Sequence, residues 1–177
     1  MRKIVAGLFI SLDGVVEAPE TWTGPHFTGE IGQQIESMTA ASDTMLLGRV
    51  TYQGFAATFS GQSGVTADQM NSNPKIVVST TLDTADWHNS TLIRTSVVQE
   101  IIRLKQQPGK NISIRGSPSL VRWLLRDKLL DELNLLVFPI VLGTGTRLFG
   151  DGDQIALRLT DTKTFSTGVL KLTYQPT

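Results

Sequence analysis

The residues of this 177-residue chain that invite a chemical reading are hydroxyls and a fixed charge set beside glycines. In LLGRVTYQGF, Leu46 to Phe55, an apolar run stops at Gly48, and Arg49 and Thr51 follow at once. A buried strand that ends in glycine and hands over to a helix start offers free backbone N–H groups and the positive end of a helix dipole to an anion. Arg49 adds a permanent planar charge that can fork onto phosphate oxygens. RGSPSLV repeats the design at Gly116 to Leu120, with hydroxyls at Ser117 and Ser119. VVSTT ends a third apolar run with Ser79, Thr80 and Thr81. Ligands of parallel α/β sheets lie outside the carboxyl ends of the strands, where all three junctions fall. Singly each reads as an ordinary cap; together they point to an elongated, phosphate-bearing ligand.

Other chemistries are poorly provided for. The absence of cysteine removes disulfides, thiolate catalysis and cysteine-ligated zinc together, and it suits a reducing cytosol. His26 and His88 are the only histidines and lie far apart, and the acidic residues show no metal-binding spacing, so no metal is expected. No G-x-S-x-G elbow is present for a serine nucleophile. In LGTGTRLFG, Leu142 to Gly150, Leu148 stands where a dinucleotide fingerprint needs its third glycine. That stretch is a loop at a strand end, either a plain turn or one whose glycines let backbone amides approach a ligand.

Acidic and basic residues number 16 each, so no global field favours nucleic acid or an anionic membrane. The opening MRKIVAGLFISLDG reads as a first strand rather than a signal peptide, because Asp13-Gly14 closes it without a small-residue cleavage site. No apolar run approaches the roughly 20 residues of a membrane helix. A cytoplasmic protein acting on a small molecule is the expectation.

The elements that must position these groups follow from periodicity. KIVAGLFISL is apolar nearly throughout, as a strand covered on both faces would be, and Val15 to Phe27 is a long loop. Ile31, Ile35, Met38 and Thr39 recur at helical spacing between Thr28, an N-cap candidate, and Ser42, with Glu30 in the first turn. DTMLLG is a strand, VTYQGFAATF a short helix, and Ser60 to Asn73 a polar loop. PKIVVST and STLIRT are strands, Val97 to Gln107 a helix, NISIRG a strand, and SPSLVRWLLRD a helix with Ser117 at its cap and Pro118 first inside. ELNLLVFPIVLG, IALRLTDTKTFS and VLKLTYQ are strands, the last two joined near Thr167-Gly168. Alternation followed by hairpins predicts an α/β fold in one domain, 1–177, with a mainly parallel sheet between helical layers and antiparallel strands at one side.

With these residues in place the chain resembles a known family. GLFISLDGVV, DTMLLGRVTYQGF, KIVVSTTL, RGSPSLVRWLLRDKLLDELNLLVFPIVLGTGTRLF and the terminal hairpin stand in the order of the dihydrofolate reductase superfamily. The closer likeness is to its branch resembling the reductase (RibD C-terminal) domain of riboflavin biosynthesis. The resemblance implies a three-layer α/β/α sandwich, NADPH along the strand ends, and a homodimer. It assigns Gly48, Arg49 and Thr51 to the phosphates and adenosine end, with Arg49 on the 2′-phosphate. It sets Ser79 and Thr80 beside the adenosine, Gly116, Ser117 and Leu120 under the pyrophosphate, and Asp13 and Gly14 at the loop over the nicotinamide. Arg115 stands where riboflavin reductases carry an acidic residue.

The resulting expectation is an NADPH-dependent reductase acting on a small heterocyclic or carbonyl/imine substrate, pterin-like or pyrimidine-like. The cofactor brings the hydride, so the protein need only orient two rings and exclude water. Glu30, or water near Asp13, would handle the proton, and Trp22, Phe27 and Tyr52 would wall the heterocycle. The alternative is a regulatory module that keeps the nucleotide cleft without reduction. An interaction protein without ligand would leave the donor-rich junctions unexplained.

Overall fold

The computed structural model describes residues 1–177. The apolar runs become eight strands: β1 (Ile4–Ser11), β2 (Ser42–Gly48), β3 (Lys75–Val78), β4 (Ser90–Ile93), β5 (Asn111–Ile114), β6 (Glu132–Phe138), β7 (Leu157–Thr164) and β8 (Leu170–Pro176). Between them lie α1 (Gly29–Ala40), α2 (Arg49–Phe59), α3 (Val65–Ser72), α4 (Val97–Gln106) and α5 (Pro118–Arg126). One sheet takes in all the strands, in the order β4-β3-β2-β5-β1-β6-β8-β7. The first six run parallel, and β8 and β7 are antiparallel additions at one edge, as the alternation predicts.

Each face of the sheet buries a different set of side chains. Ile4, Ala6, Leu8 and Ile10 of β1 point to one side, where Ile112, Ile114, Leu133 and Leu135 join them under Ile101 and Leu104 of α4 and Leu120, Val121, Leu124 and Leu125 of α5. This is the largest apolar cluster, and its cohesion scales with the area it removes from water. The opposite face holds two smaller clusters. Trp22, Leu136 and Phe138 pack with Ile31 of α1, and Met45, Leu47 and Val77 pack with Tyr52 of α2 and Met70 of α3. Strand β5 runs between β2 and β1, hence between those two clusters, and its alternation turns Ser113 and Arg115 to that face. A polar seam therefore divides the apolar layer.

Pairing along β1 is uneven. It pairs with β5 only from Ile4 to Ala6, yet with β6 from Val5 to Ser11. Because β5 is short, the upper half of β1, from Gly7 onward, has a backbone edge open towards the end of β5. The sheet is thus notched at its carboxyl end, where Arg115 and Gly116 follow β5.

Two expectations need correction. The polar stretch from Ser60 to Asn73 contains α3, and Val15 to Phe27 contains single 3-10 turns at Pro19–Thr21 and Gly24–His26. Helix α3 has little amphipathic signal because only Ala67 and Met70 are buried on it. It is held from outside. Lys75, fully buried, donates from Nζ to the carbonyls of Met70 (2.8 Å), Asn71 (3.1 Å) and Asn73 (2.7 Å), and its ammonium lies 4.3 Å from the centre of the Trp87 ring. Loss of hydration draws its pKa down to about 8, so the cation still predominates at neutral pH.

The Lys75 ammonium thus replaces the capping that the sequence of α3 lacks. Lys75→Met leaves three carbonyls, one buried and two part-buried, without this donor and should cost about 3 kcal/mol, read as a lower urea midpoint at unchanged slope. A change within about 0.5 kcal/mol would show that these carbonyls find other partners.

Candidate functional site

Strands β2 and β5 are neighbours; β2 passes directly into α2 at its carboxyl end, and β5 reaches α5 through the three residues Arg115, Gly116 and Ser117. The two junctions are tied together. The backbone N–H of Gly48 donates to Ser117 Oγ over 2.8 Å, and that hydroxyl donates to Thr51 Oγ1, also over 2.8 Å. The contact demands glycine on both sides. A Cβ at Gly48 would lie 2.8 Å from Ser117 Oγ, and one at Gly116, whose φ is +112°, would lie 3.1 Å from Thr51. Ser117 itself has φ +57°, in the left-handed region that non-glycine residues seldom adopt.

Ser117 occupies the expected cap position, but its hydroxyl crosses to β2 instead of turning back onto α5. Neither α2 nor α5 has a side-chain cap. Two helix N-termini therefore sit side by side with first-turn N–H groups uncapped by side chains, an arrangement that favours a polyanion. Leu120 is buried in the core and has only its backbone N–H to offer. Arg49 is exposed at the rim, and its Nη1 donates only to Gln53 Oε1, at 3.2 Å. Ser79 is buried; its Oγ accepts from the N–H groups of Thr81 (3.2 Å) and Leu82 (3.1 Å), which closes the turn after β3 and leaves Thr80 exposed at its edge.

The carboxylates assigned to proton handling serve other ends. Asp13 accepts from Ser11 Oγ (2.7 Å) and from the N–H groups of Leu142 (3.1 Å) and Gly143 (2.8 Å), with Arg147 at 3.7 Å. The Ser11 hydroxyl and those two amides draw its pKa down to about 2. Glu17 accepts from the N–H and hydroxyl of Thr146, and Val15 bridges to Arg147. The glycines of LGTGTRLFG thus admit the chain's own loop: a Cβ at Gly145 would lie 2.7 Å from Val15 Cγ1. Leu148, in the place of a third fingerprint glycine, is fully buried in the main core and anchors the loop.

Glu30 is exposed and accepts from Ser166 Oγ (2.6 Å) and Ser166 N–H (3.3 Å), which ties the start of α1 to the β7–β8 turn. Ser166 chiefly, and Lys163 to a lesser degree, hold its pKa below the ordinary value. Asp13 and Glu30 are therefore held as carboxylates at neutral pH. In both, donors of the chain itself stabilise the charged form.

The three aromatic candidates separate. Trp22 and Phe27 share a cluster at the mouth of the notch, where Phe9 meets Phe27 edge-on at 6.4 Å and Phe138 at 5.5 Å, and Trp22 meets Phe138 at 5.6 Å. Trp22 is buried and its indole N–H donates to the Glu17 carbonyl, whereas Phe27 remains 47% exposed. Tyr52 is elsewhere. It lies under α2, its hydroxyl accepts from the Trp87 N–H at 2.9 Å, and it cannot wall a ligand at the notch. The sequence does not mark Phe9, because a continuous apolar run conceals which positions face which side.

Two outcomes test this geometry. Gly48→Ala should destabilise the junction by driving a Cβ against Ser117 Oγ, and Ser117→Gly in the same chain should recover part of the loss by removing the clashing hydroxyl and the left-handed strain. Additive melting shifts in the double variant would break the proposed contact. Asp13, with its folded pKa depressed, contributes stability that is complete above the ordinary carboxylate range and fades as pH falls from about 4 through about 2. An NMR titration should place its midpoint near 2, and a midpoint near 4 would show that the loop clamp is not formed.

Comparison with known proteins accords with this geometry. The model of the RibD C-terminal domain family matches residues 2–171. The uncharacterized protein YyaP of Bacillus subtilis (strain 168) is 30% identical over 186 residues, spanning 98% of this chain and 94% of its own. Among solved structures, a Shewanella sp. PV-4 protein described as a riboflavin biosynthesis protein superposes with a TM-score of 0.80 at 19% identity, over 99% of both chains. Dihydrofolate reductase of Enterococcus faecalis, solved with NADP(H), superposes at 0.65 and 15% identity over 98% of this chain and 96% of its own. Those structural likenesses establish the dihydrofolate-reductase-like fold. With its sheet, its paired glycine junctions and a family match that spans nearly every residue, this chain belongs to the RibD C-terminal domain family.

Proposed function

We propose that the protein is an NADPH-dependent reductase of a small heterocyclic or conjugated carbonyl compound. The observation that carries this reading is the pair of uncapped helix N-termini locked together by Ser117, Gly48 and Thr51. Such a pair suits a pyrophosphate, with Gly48, Gly116 and Ser117 allowing close backbone approach and the amides of α2 and α5 facing the charge. Arg49 is free at the rim to take the 2′-phosphate, and Ser79 and Thr80 border the adenosine side. The notch above β5 offers the unpaired edge of β1, from Gly7 onward, to an amide-bearing ring. NADPH, when bound, supplies the hydride.

The chain's own residues would orient and shield. Phe9 and Phe27 present an aromatic wall at the notch, and the loop clamped by Asp13 and Glu17 closes the side nearest β1. Because Asp13 and Glu30 are committed as carboxylates, the product's proton would come from water. That commitment also favours a second reading, a nucleotide-binding module without turnover.

The two readings part on NADPH oxidation across pterins, pyrimidine-ribityl compounds and quinones. Turnover of at least one supports the reductase; tight NADPH binding without any turnover supports the module. Arg49→Ala should weaken NADPH binding about tenfold, near 1.4 kcal/mol, while leaving NADH nearly unchanged. Equal affinity of the wild type for the two cofactors would remove the role given to Arg49.

A further inference from the structure

The carboxyl end of the sheet carries a charge that the reading above does not use. Arg115 is the residue after β5, one step beyond the Ala6–Ile114 pair, and so stands opposite Gly7 at the notch. Alternation along β5 turns it to the face between α1 and α2, away from the main core. A Cβ at Gly7 would lie 2.7 Å from the Met38 methyl of α1, so that methyl covers Gly7 and Arg115 stands beside it. The guanidinium is partly buried and makes one hydrogen bond, from Nη2 to Thr39 Oγ1 of α1. No carboxylate forms an ion pair with it.

A cation in this position is costly. Loss of hydration lowers its pKa, and nothing acidic offsets that loss. The acidic groups that fix this end of the sheet are engaged: Asp13 and Glu17 hold the loop after β6, and Glu30 holds the β7–β8 turn. A ring that binds in protonated, cationic form needs a carboxylate opposite it. This notch presents a guanidinium with most of its N–H groups unengaged.

We propose that Arg115 is the substrate-recognition group of the notch, and that the site accepts a neutral conjugated carbonyl compound, such as a cyclic dicarbonyl, through its oxygen. The inference rests on the cofactor reading and adds the class of acceptor to it. In reduction, the C–H bond of the dihydronicotinamide breaks and a C–H bond forms at the electrophilic carbon conjugated to the carbonyl. The π pair moves onto the carbonyl oxygen, giving an enolate held by the Arg115 N–H groups, and water then protonates it. The acceptor gains two electrons and NADPH becomes NADP⁺. A donor fork aimed at the oxygen on which charge develops stabilises that step more than the ground state. Thr39 is a positioning residue, since it acts only through Arg115.

The test uses two planar probes of similar size on protein saturated with NADP⁺: lumazine, a pteridine dione, and 2,4-diaminopteridine, which binds acidic sites in protonated form. Calorimetric titration of the wild type should favour lumazine. Arg115→Gln should weaken lumazine about tenfold, Arg115→Lys less, and Arg115→Glu should reverse the preference, while NADP⁺ affinity stays within about twofold in all three. That unchanged affinity also reports that each variant is folded. A wild type that binds NADP⁺ but favours diaminopteridine, takes neither probe, or loses under threefold of its lumazine affinity in Arg115→Gln overturns this inference alone. Failure of the wild type to bind NADP⁺ or NADPH overturns the cofactor reading and this inference with it.

Discussion

The carboxyl end of this sheet is organised by one hydroxyl. Ser117 Oγ accepts from the Gly48 N–H and donates to Thr51, and thereby fixes the distance between the β2–α2 and β5–α5 junctions. The constraint reaches outward from there. It requires glycine at 48 and at 116, forces Ser117 into a left-handed backbone conformation, and draws away the side chain that would otherwise cap α5. Local strain of this kind costs of order 1–3 kcal/mol and persists only where surrounding structure over-determines it. Here the surroundings are the parallel pairing of β2 with β5 and the buried α5 face. What the junction gains in return is two adjacent N-termini whose amides are open to an anion.

Charge is distributed around this centre with a consistent logic. The carboxylates near the mouth act as staples between segments more than 120 residues apart in sequence: Asp13 to Leu142 and Gly143, Glu17 to Thr146, Glu30 to Ser166. Each is paired with N–H and O–H donors, which stabilise its ionised form and withdraw it from proton exchange near neutrality. The cations are treated differently. Lys75 is buried and saturated by three carbonyls, whereas Arg49 and Arg115 each donate to a single side chain, Gln53 and Thr39. In the family the fold is common property, so what distinguishes one member's chemistry lies in such uncommitted groups.

Much of the architecture was legible in the residues. Glycines and prolines marked the turns, helical spacing marked α1, α4 and α5, and alternation of strand and helix implied the parallel sheet that is observed. Gly48, Gly116 and Ser117 were legible as a cradle because a strand that ends in glycine before a helix has a specific physical consequence, uncapped amides. Helix α3 was not, because its stability comes from Lys75 and a few buried contacts rather than from an apolar stripe. Nor were the partners of Asp13, Glu30 and Tyr52. A carboxylate in a first turn or after a strand looks the same in sequence whether it faces a ligand or a loop, and the choice is made by a donor far along the chain.

By itself, then, the sequence determined the local facts: which residues break, cap and pack, where donors gather, and how many strands alternate with helices. These depend on interactions within a few residues, which composition and spacing encode directly. Only the tertiary structure decided that β5 is too short to cover the upper half of β1, that Tyr52 belongs to the core, and that Arg115 rather than a carboxylate lies at the notch. Those outcomes depend on strand register and on the order of strands in the sheet. A single step of register moves every side chain to the other face, and that information resides in pairings between segments distant along the chain.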